Sequence, residues 1–203
     1  MNRMCALLLV ALAGLLAGCG GDGLIPAPAA PPEVATTGEA STPLPHADPV
    51  ELRIPKIAAT STLVPLGLNP DDTVAVPPVE TPMQAGWYRL GPAPGELGPA
   101  VILGHVNGGG RKGIFARLHE LVAGDEILVT RNDGRTAVFA ATDVVQVSKA
   151  EFPTEDVYGN SDAAELRLIT CGGTFDRNRK SYSDNIIVYA ALIEWRTSTG
   201  TDR

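Results

Sequence analysis

The chain has 203 residues with 16 Lys+Arg against 23 Asp+Glu, a net charge of −7, which suits one ordinary domain and is short for two. Hydrophobic residues make up 44% and aromatic residues 5%, while 22 Gly and 17 Pro approach a fifth of the chain, so a turn-rich, mainly β protein with a disordered portion is expected. The acidic balance disfavours nucleic acid as a partner, because a polyanion is repelled by the average field of such a surface.

Residues 1–19 open with one cation, Arg3, followed by an uncharged stretch from Met4 to Gly18 rich in Leu and Ala, the layout of a secretory signal. At 15 residues the stretch is shorter than the roughly 20 that span a bilayer as a helix. The segment Leu16-Ala17-Gly18-Cys19 resembles a bacterial lipoprotein box, in which the signal is removed before the Cys, and this implies lipid attachment at Cys19. The alternative is an ordinary signal or an uncleaved anchor with an incidental cysteine. Cleavage removes one positive charge and no negative one, leaving 15 against 23 and a net charge of −8. Cys5 leaves with the signal, so Cys171 is the one thiol of the folded part and no disulfide can form within it. A spare thiol in an exported protein is either buried and inert or kept for its reactivity.

Gly20 to Pro49 contains seven prolines and no aromatic residue, and it reads as a flexible tether in which His46 is solvated. The folded domain is expected over residues 50–195, with a polar tail over 196–203. Short strand-like runs follow in order: Glu51–Ile54, Thr62–Leu66, Val74–Val76, Ala100–Leu103, Glu126–Arg131, Thr136–Val147, Glu165–Thr170 and Asn185–Glu194. Ala116–Val122 is the candidate short helix. Eight short strands predict a closed barrel or a sandwich, since open strand edges invite aggregation.

Two of these runs end in a residue able to do chemistry. Ala100-Val-Ile-Leu-Gly leads to His105, and Leu166-Arg-Leu-Ile-Thr leads to Cys171, each followed shortly by glycines. Both side chains are thus expected where strands leave the sheet, on a barrel rim. A thiolate that attacks a carbonyl and an imidazole that moves protons are the minimum for thiol-based acyl transfer. After Cys171 come Arg177, Arg179 and Lys180, which either steady an oxyanion or form a solvated loop.

The segments Ile54-Pro-Lys-Ile57, Gly86-Trp-Tyr88, Ala100-Val-Ile-Leu-Gly-His-Val-Asn107, Gly113-Ile-Phe-Ala-Arg-Leu118, Gly124-Asp125 and Leu168-Ile-Thr-Cys171 resemble those of sortases, in that order. Gly172-Gly-Thr-Phe-Asp176 and Tyr182-Ser-Asp-Asn-Ile-Ile-Val-Tyr-Ala190 are most similar to the actinobacterial class F. The resemblance spans roughly residues 50–192. It implies an eight-stranded β-barrel, mainly all-β with short helices in its connections, and a Cys, His, Arg site. Cys171 would attack a Leu-Pro-x-Thr-Gly-like sorting signal to form a thioester, with hydrolysis as a side reaction. His105 would protonate the departing amine and then deprotonate the incoming one, and an arginine would hold the oxyanion or the substrate backbone. In better-known sortases this arginine directly precedes the final strand, where Asp184 stands here, so Arg177 is assigned from the Phe-Asp-Arg pattern, with Arg179 as its rival. If the region is extended, the two share a face.

The partners implied are secreted proteins bearing a sorting signal, an amine acceptor from peptidoglycan and the membrane itself, with the enzyme lipid-anchored or signal-anchored on its extracytoplasmic face. A monomer is expected. His119 reads as an exposed helix-end residue, Trp87-Tyr88 as packing residues, and Asp71-Asp72 and Glu155-Asp156 as turn residues rather than calcium ligands. No cofactor or metal is expected, since no cluster has zinc spacing and no Gly-rich loop has the context of a phosphate cradle. Ile169-Thr170 before the thiol argues against an L,D-transpeptidase, whose segment is of the Ser-x-Gly-Cys type. A catalytically silent, tethered barrel used for binding is the rival from another class.

Overall fold

The computed structural model describes residues 42–197. Along the chain lie β1 (Pro49–Ile54), β2 (Ala59–Leu66), β3 (Ala85–Tyr88), β4 (Gly98–Gly104), β5 (Asn107–Gly108), β6 (Arg111–Lys112), β7 (Glu126–Arg131) and β8 (Arg135–Ser148). A one-turn helix α1 (Thr154–Tyr158) follows, then β9 (Ala164–Asp176) and β10 (Ser181–Thr197). Eight strands close a barrel in the order β1-β2-β3-β4-β9-β10-β8-β7, and β7 pairs back onto β1. The β2/β3 and β4/β9 pairs are parallel and the other barrel pairs antiparallel. Closure leaves no long open edge, the expected reason for eight short strands in one domain.

Seven of the eight expected strand runs lie in barrel strands. Val74–Val76 does not: Val74 makes only an isolated bridge to Leu68, and Pro77 and Pro78, which lack an N–H, follow at once. The eighth stave is β3, whose four residues are too short to show an alternating pattern. The helix expected over Ala116–Val122 shrinks to a single 3-10 turn, Leu118–Glu120.

Alternation along the strands divides the molecule into two apolar layers. Inside the barrel, Ala100 and Ile102 of β4 meet Leu166 and Leu168 of β9 and Ile186 and Val188 of β10. The intervening residues Val101, Leu103, Ile169 and Ile187 point outward, yet they are buried under a second layer that includes Val157 and Tyr158 of α1 and Tyr88 of β3. Strand β4 is therefore buried on both faces, which explains its unbroken apolar sequence. Tyr158 packs edge-on to Tyr88 at 5.9 Å, and burial, with Tyr88 beside it, pushes its phenol pKa up.

The packed chain begins earlier than the expected boundary at residue 50. Leu44 and Ala47 are buried, and Leu44 N–H donates to the Gly95 carbonyl at 2.7 Å. The Arg131 side chain, fully buried, donates to the carbonyls of Pro45 and Pro94 and pairs with Asp133 at 3.2 Å. His46 is exposed as expected, but its ring lies 3.0 Å from Glu96 and 3.5 Å from Asp48. The signal segment, Cys19, most of the tether and the end of the tail fall outside the described residues.

Candidate active site

The two reactive side chains come together through one register. In the parallel β4/β9 pair Leu103 stands beside Ile169, so His105, the first residue past the end of β4, and Cys171 of β9 each lie two residues beyond that pairing. Because alternate strand residues share a face, Cys171 follows Ile169 onto the outer side of the barrel wall, where it lines a cleft that His105 lines too. The cleft measures about 420 Å³, with Val79, Asn107, Gly108, Phe175, Lys180 and Tyr182 among its other walls. Both are half-buried, Cys171 is a free thiol among the described residues, and Asn185 lies directly across from it on β10.

Local sequence explains the placement of His105. A Cβ on Gly104 would sit 2.6 Å from both Ile114 and Phe115, so only glycine lets these two core residues close over the end of β4. Phe115 N–H then donates to the His105 carbonyl at 3.0 Å, which fixes the backbone, and the ring meets the Pro77 carbonyl at 2.6 Å through Nε2.

Cys171 sits differently from the expectation. The strand does not end there but continues to Asp176, and a bulge follows the thiol, where three steps on β9 oppose two on β10 between the Gly172/Asp184 and Phe175/Tyr182 pairs. Gly173 occupies the bulge at φ +74°, and a Cβ there would collide with Asp184 and Ser183. Ser183 Oγ accepts from Thr174 N–H at 3.0 Å, and Asp184 accepts from the Gln146 amide at 2.6 Å.

Beyond the bulge the β9/β10 hairpin forms one wall of the cleft. Phe175 and Tyr182 pack edge to face at 5.0 Å, and the Asn107 amide donates to the Tyr182 hydroxyl at 2.5 Å, tying this wall to the β5/β6 hairpin opposite. The expected guanidinium does not join them. Residues 177–180 are a turn rather than extended chain, because Asp176 Oδ1 accepts from the backbone N–H groups of Asn178 and Arg179. Arg177 and Arg179 are exposed there and are not among the residues lining the cleft, and Arg179 lies 3.7 Å from Asp176. Among the described residues the cation that lines the cleft is Lys180, which the sequence offered together with Arg177 and Arg179 as either an oxyanion group or part of a solvated loop. Asn107 and Tyr182 were visible in the sequence only within longer matching segments.

The sequence model of the sortase domain matches residues 52–193. The chain belongs to the sortase family. Its barrel is similar to the SrtA sortase from Actinomyces oris, with 21% identity over 83% of this chain and 95% of that one and a TM-score of 0.55. It is also similar to sortase A of Listeria monocytogenes (14% identity, 74% of this chain and 90% of that one, TM-score 0.56). A third likeness is to the sortase D5 transpeptidase of Clostridium perfringens (22% identity, 79% and 83%, TM-score 0.52). At these identities the likenesses show the fold, and among curated protein sequences none matches the chain. The eight-stranded barrel expected of a sortase is thus the one observed.

Proposed function

We propose that this sortase is a cysteine transpeptidase of the class F type, reading a Leu-Pro-x-Thr-Gly-like sorting signal on secreted proteins. The observation that carries the reading is the parallel register that brings His105 and Cys171 into one cleft. The Cys171 thiolate attacks the carbonyl carbon, the C–N bond breaks, and the amine leaves with a proton from the His105 imidazolium, giving a thioester. A cell-wall amine then attacks the thioester, the C–S bond breaks, and the amine's proton returns to His105. Water in place of the amine gives hydrolysis. Arg177, at the turn beyond the cleft, adds positive potential rather than a contact to the reacting atoms.

The same reading anchors the protein through a lipid on Cys19, with the tether holding the barrel outward from the extracytoplasmic face of the membrane as a monomer. It is tested by incubating the protein with Leu-Pro-x-Thr-Gly peptides and triglycine and following mass. A transfer product and an acyl adduct on Cys171, both lost in Cys171→Ala and on thiol alkylation, support it. A folded protein with an alkylatable Cys171 that forms no adduct with any sorting peptide supports the silent binding barrel instead.

A further inference from the structure

His105 and Cys171 reach the cleft on two separate limbs. Past Gly104 the chain leaves the barrel and folds into the β5/β6 hairpin, a sheet of its own. It closes back through Gly113 N–H, which donates to the Val106 carbonyl at 2.9 Å, and Phe115 N–H, which donates to the His105 carbonyl at 3.0 Å. This limb packs on residues 77–82. Arg111 Nη2 donates to the Glu80 carbonyl at 3.0 Å and Ile114 N–H to the Pro82 carbonyl at 2.8 Å, while a Cβ on Gly108 would sit 2.4 Å from the Val79 carbonyl oxygen. The same segment supplies the Pro77 carbonyl that accepts from the His105 ring, so ring, hairpin and segment form one unit.

The other limb is the far end of the β9/β10 hairpin. Pairing of β4 with β9 stops at Leu103/Ile169 and pairing of β8 with β10 at Ser148/Asp184, so beyond those positions β9 and β10 have only each other as strand partners. The bulge at Gly173 interrupts even that ladder, and on the outer flank Lys149 Nζ donates to Ser181 Oγ at 2.9 Å. Among the described residues one hydrogen bond joins the two limbs, from the Asn107 amide to the Tyr182 hydroxyl at 2.5 Å.

We infer that Tyr182 is a positioning residue: its hydroxyl holds Asn107, two residues beyond His105, and so sets how far the imidazole unit stands from the thiol limb. This rests on the transpeptidase reading and adds to it a residue that acts through another. Energetics separate the role from one in folding. A hydrogen bond at the exposed mouth of a cleft adds little to stability, because water competes for both groups, and closure of the barrel does not involve it. Reacting groups held ~1 Å out of place, by contrast, lose up to ~10²-fold in rate.

The test compares Tyr182→Phe, Asn107→Ala and the double substitution in the full chain, following acyl-enzyme formation from a Leu-Pro-x-Thr-Gly peptide and the Tm of each protein. Tyr182→Phe keeps the ring that packs on Phe175 and removes only the hydroxyl. Each single substitution is expected to lower the maximal rate about tenfold, with the half-saturating peptide concentration and the Tm unchanged. The double substitution is expected to be no slower than either single one, as for two ends of one contact. Losses that multiply, a change in half-saturation alone, or a full rate in Tyr182→Phe overturns the assignment. Backbone amide NMR reads the joint without turnover. Tyr182→Phe is expected to shift the amides of residues 105–112 as well as those of 180–184, and shifts confined to 180–184 overturn the joint. An unaltered protein that forms no acyl-enzyme, while Tyr182→Phe still shifts both limbs, sinks the transpeptidase and leaves the joint standing.

Discussion

Nε2 of His105 lies 2.6 Å from the carbonyl oxygen of Pro77. A carbonyl can only accept, so Nε2 carries the proton and, in the neutral ring, Nδ1 holds the free lone pair. The contact fixes both the tautomer and the plane of the ring before any substrate arrives. Nitrogen NMR of the neutral protein is expected to show His105 with Nε2 protonated and Nδ1 bare, and the reverse tautomer would contradict the structure. Removing the proton-transfer group in His105→Gln is expected to lower acyl transfer by about 10²–10⁴-fold while leaving Cys171 open to alkylation.

The strand runs near Cys171 and His105 were legible because their apolar sequences are long and each is followed closely by glycine. That the two side chains share a cleft was not, because it depends on the Leu103/Ile169 register, a pairing across 66 residues that no local pattern encodes. Arg177 was assigned from the Phe-Asp-Arg pattern, and its sharing a face with Arg179 required extended chain after Cys171. The bulge at Gly173 and the turn capped by Asp176 replace it, and they place Lys180 rather than Arg177 at the cleft. Likewise, the prolines of the tether pointed to disorder, yet Pro45 supplies the carbonyl that Arg131 grips, an interaction visible only once Arg131 is known to be buried.

Gly173 and Gly109 offer a matched pair of substitutions. Both have positive φ, +74° and +55°, so alanine at either carries a backbone penalty of ~1–2 kcal/mol. At Gly109 nothing lies within 4 Å of the added methyl, whereas at Gly173 it meets Asp184 and Ser183. Gly173→Ala is therefore expected to lose clearly more stability in denaturant unfolding than Gly109→Ala. It is also expected to slow acyl transfer, because the bulge aims the hairpin wall. Equal losses would show that the bulge has no packing requirement for glycine.

The N-terminal strap and Arg131 form one unit. Burying Leu44 contributes about 1.5–3 kcal/mol, so a fragment starting at residue 50 is expected to be less stable by roughly that amount than one starting at residue 42. Arg131→Met leaves the Pro94 and Pro45 carbonyls without a donor and Asp133 without its buried partner, and is expected to cost about 3 kcal/mol in the longer fragment. In the shorter fragment Pro45 is gone, so the same substitution is expected to cost less. An unchanged cost, measured by urea unfolding of the four proteins, would separate the strap from Arg131.

Asp133 gives the same region a pH signature. Burial raises its pKa, but hydrogen bonds from Arg131 and the Arg135 N–H, with both guanidinium charges, outweigh this and hold the carboxyl below its usual 3.8. A carboxyl with a lowered folded-state pKa contributes stability that is fully present above the unfolded value and lost as pH falls through the folded one. Asp133→Asn is therefore expected to unfold at a lower temperature than the unaltered protein, by the same margin at pH 7 and pH 5. Below pH 3.8 the margin should shrink, because protonation then neutralises the aspartate as the substitution already has. Thermal unfolding across this range reads the effect directly. A margin that stays constant to pH 2 would mean that the Asp133 charge contributes nothing, and that Arg131 is held by its two carbonyl acceptors alone.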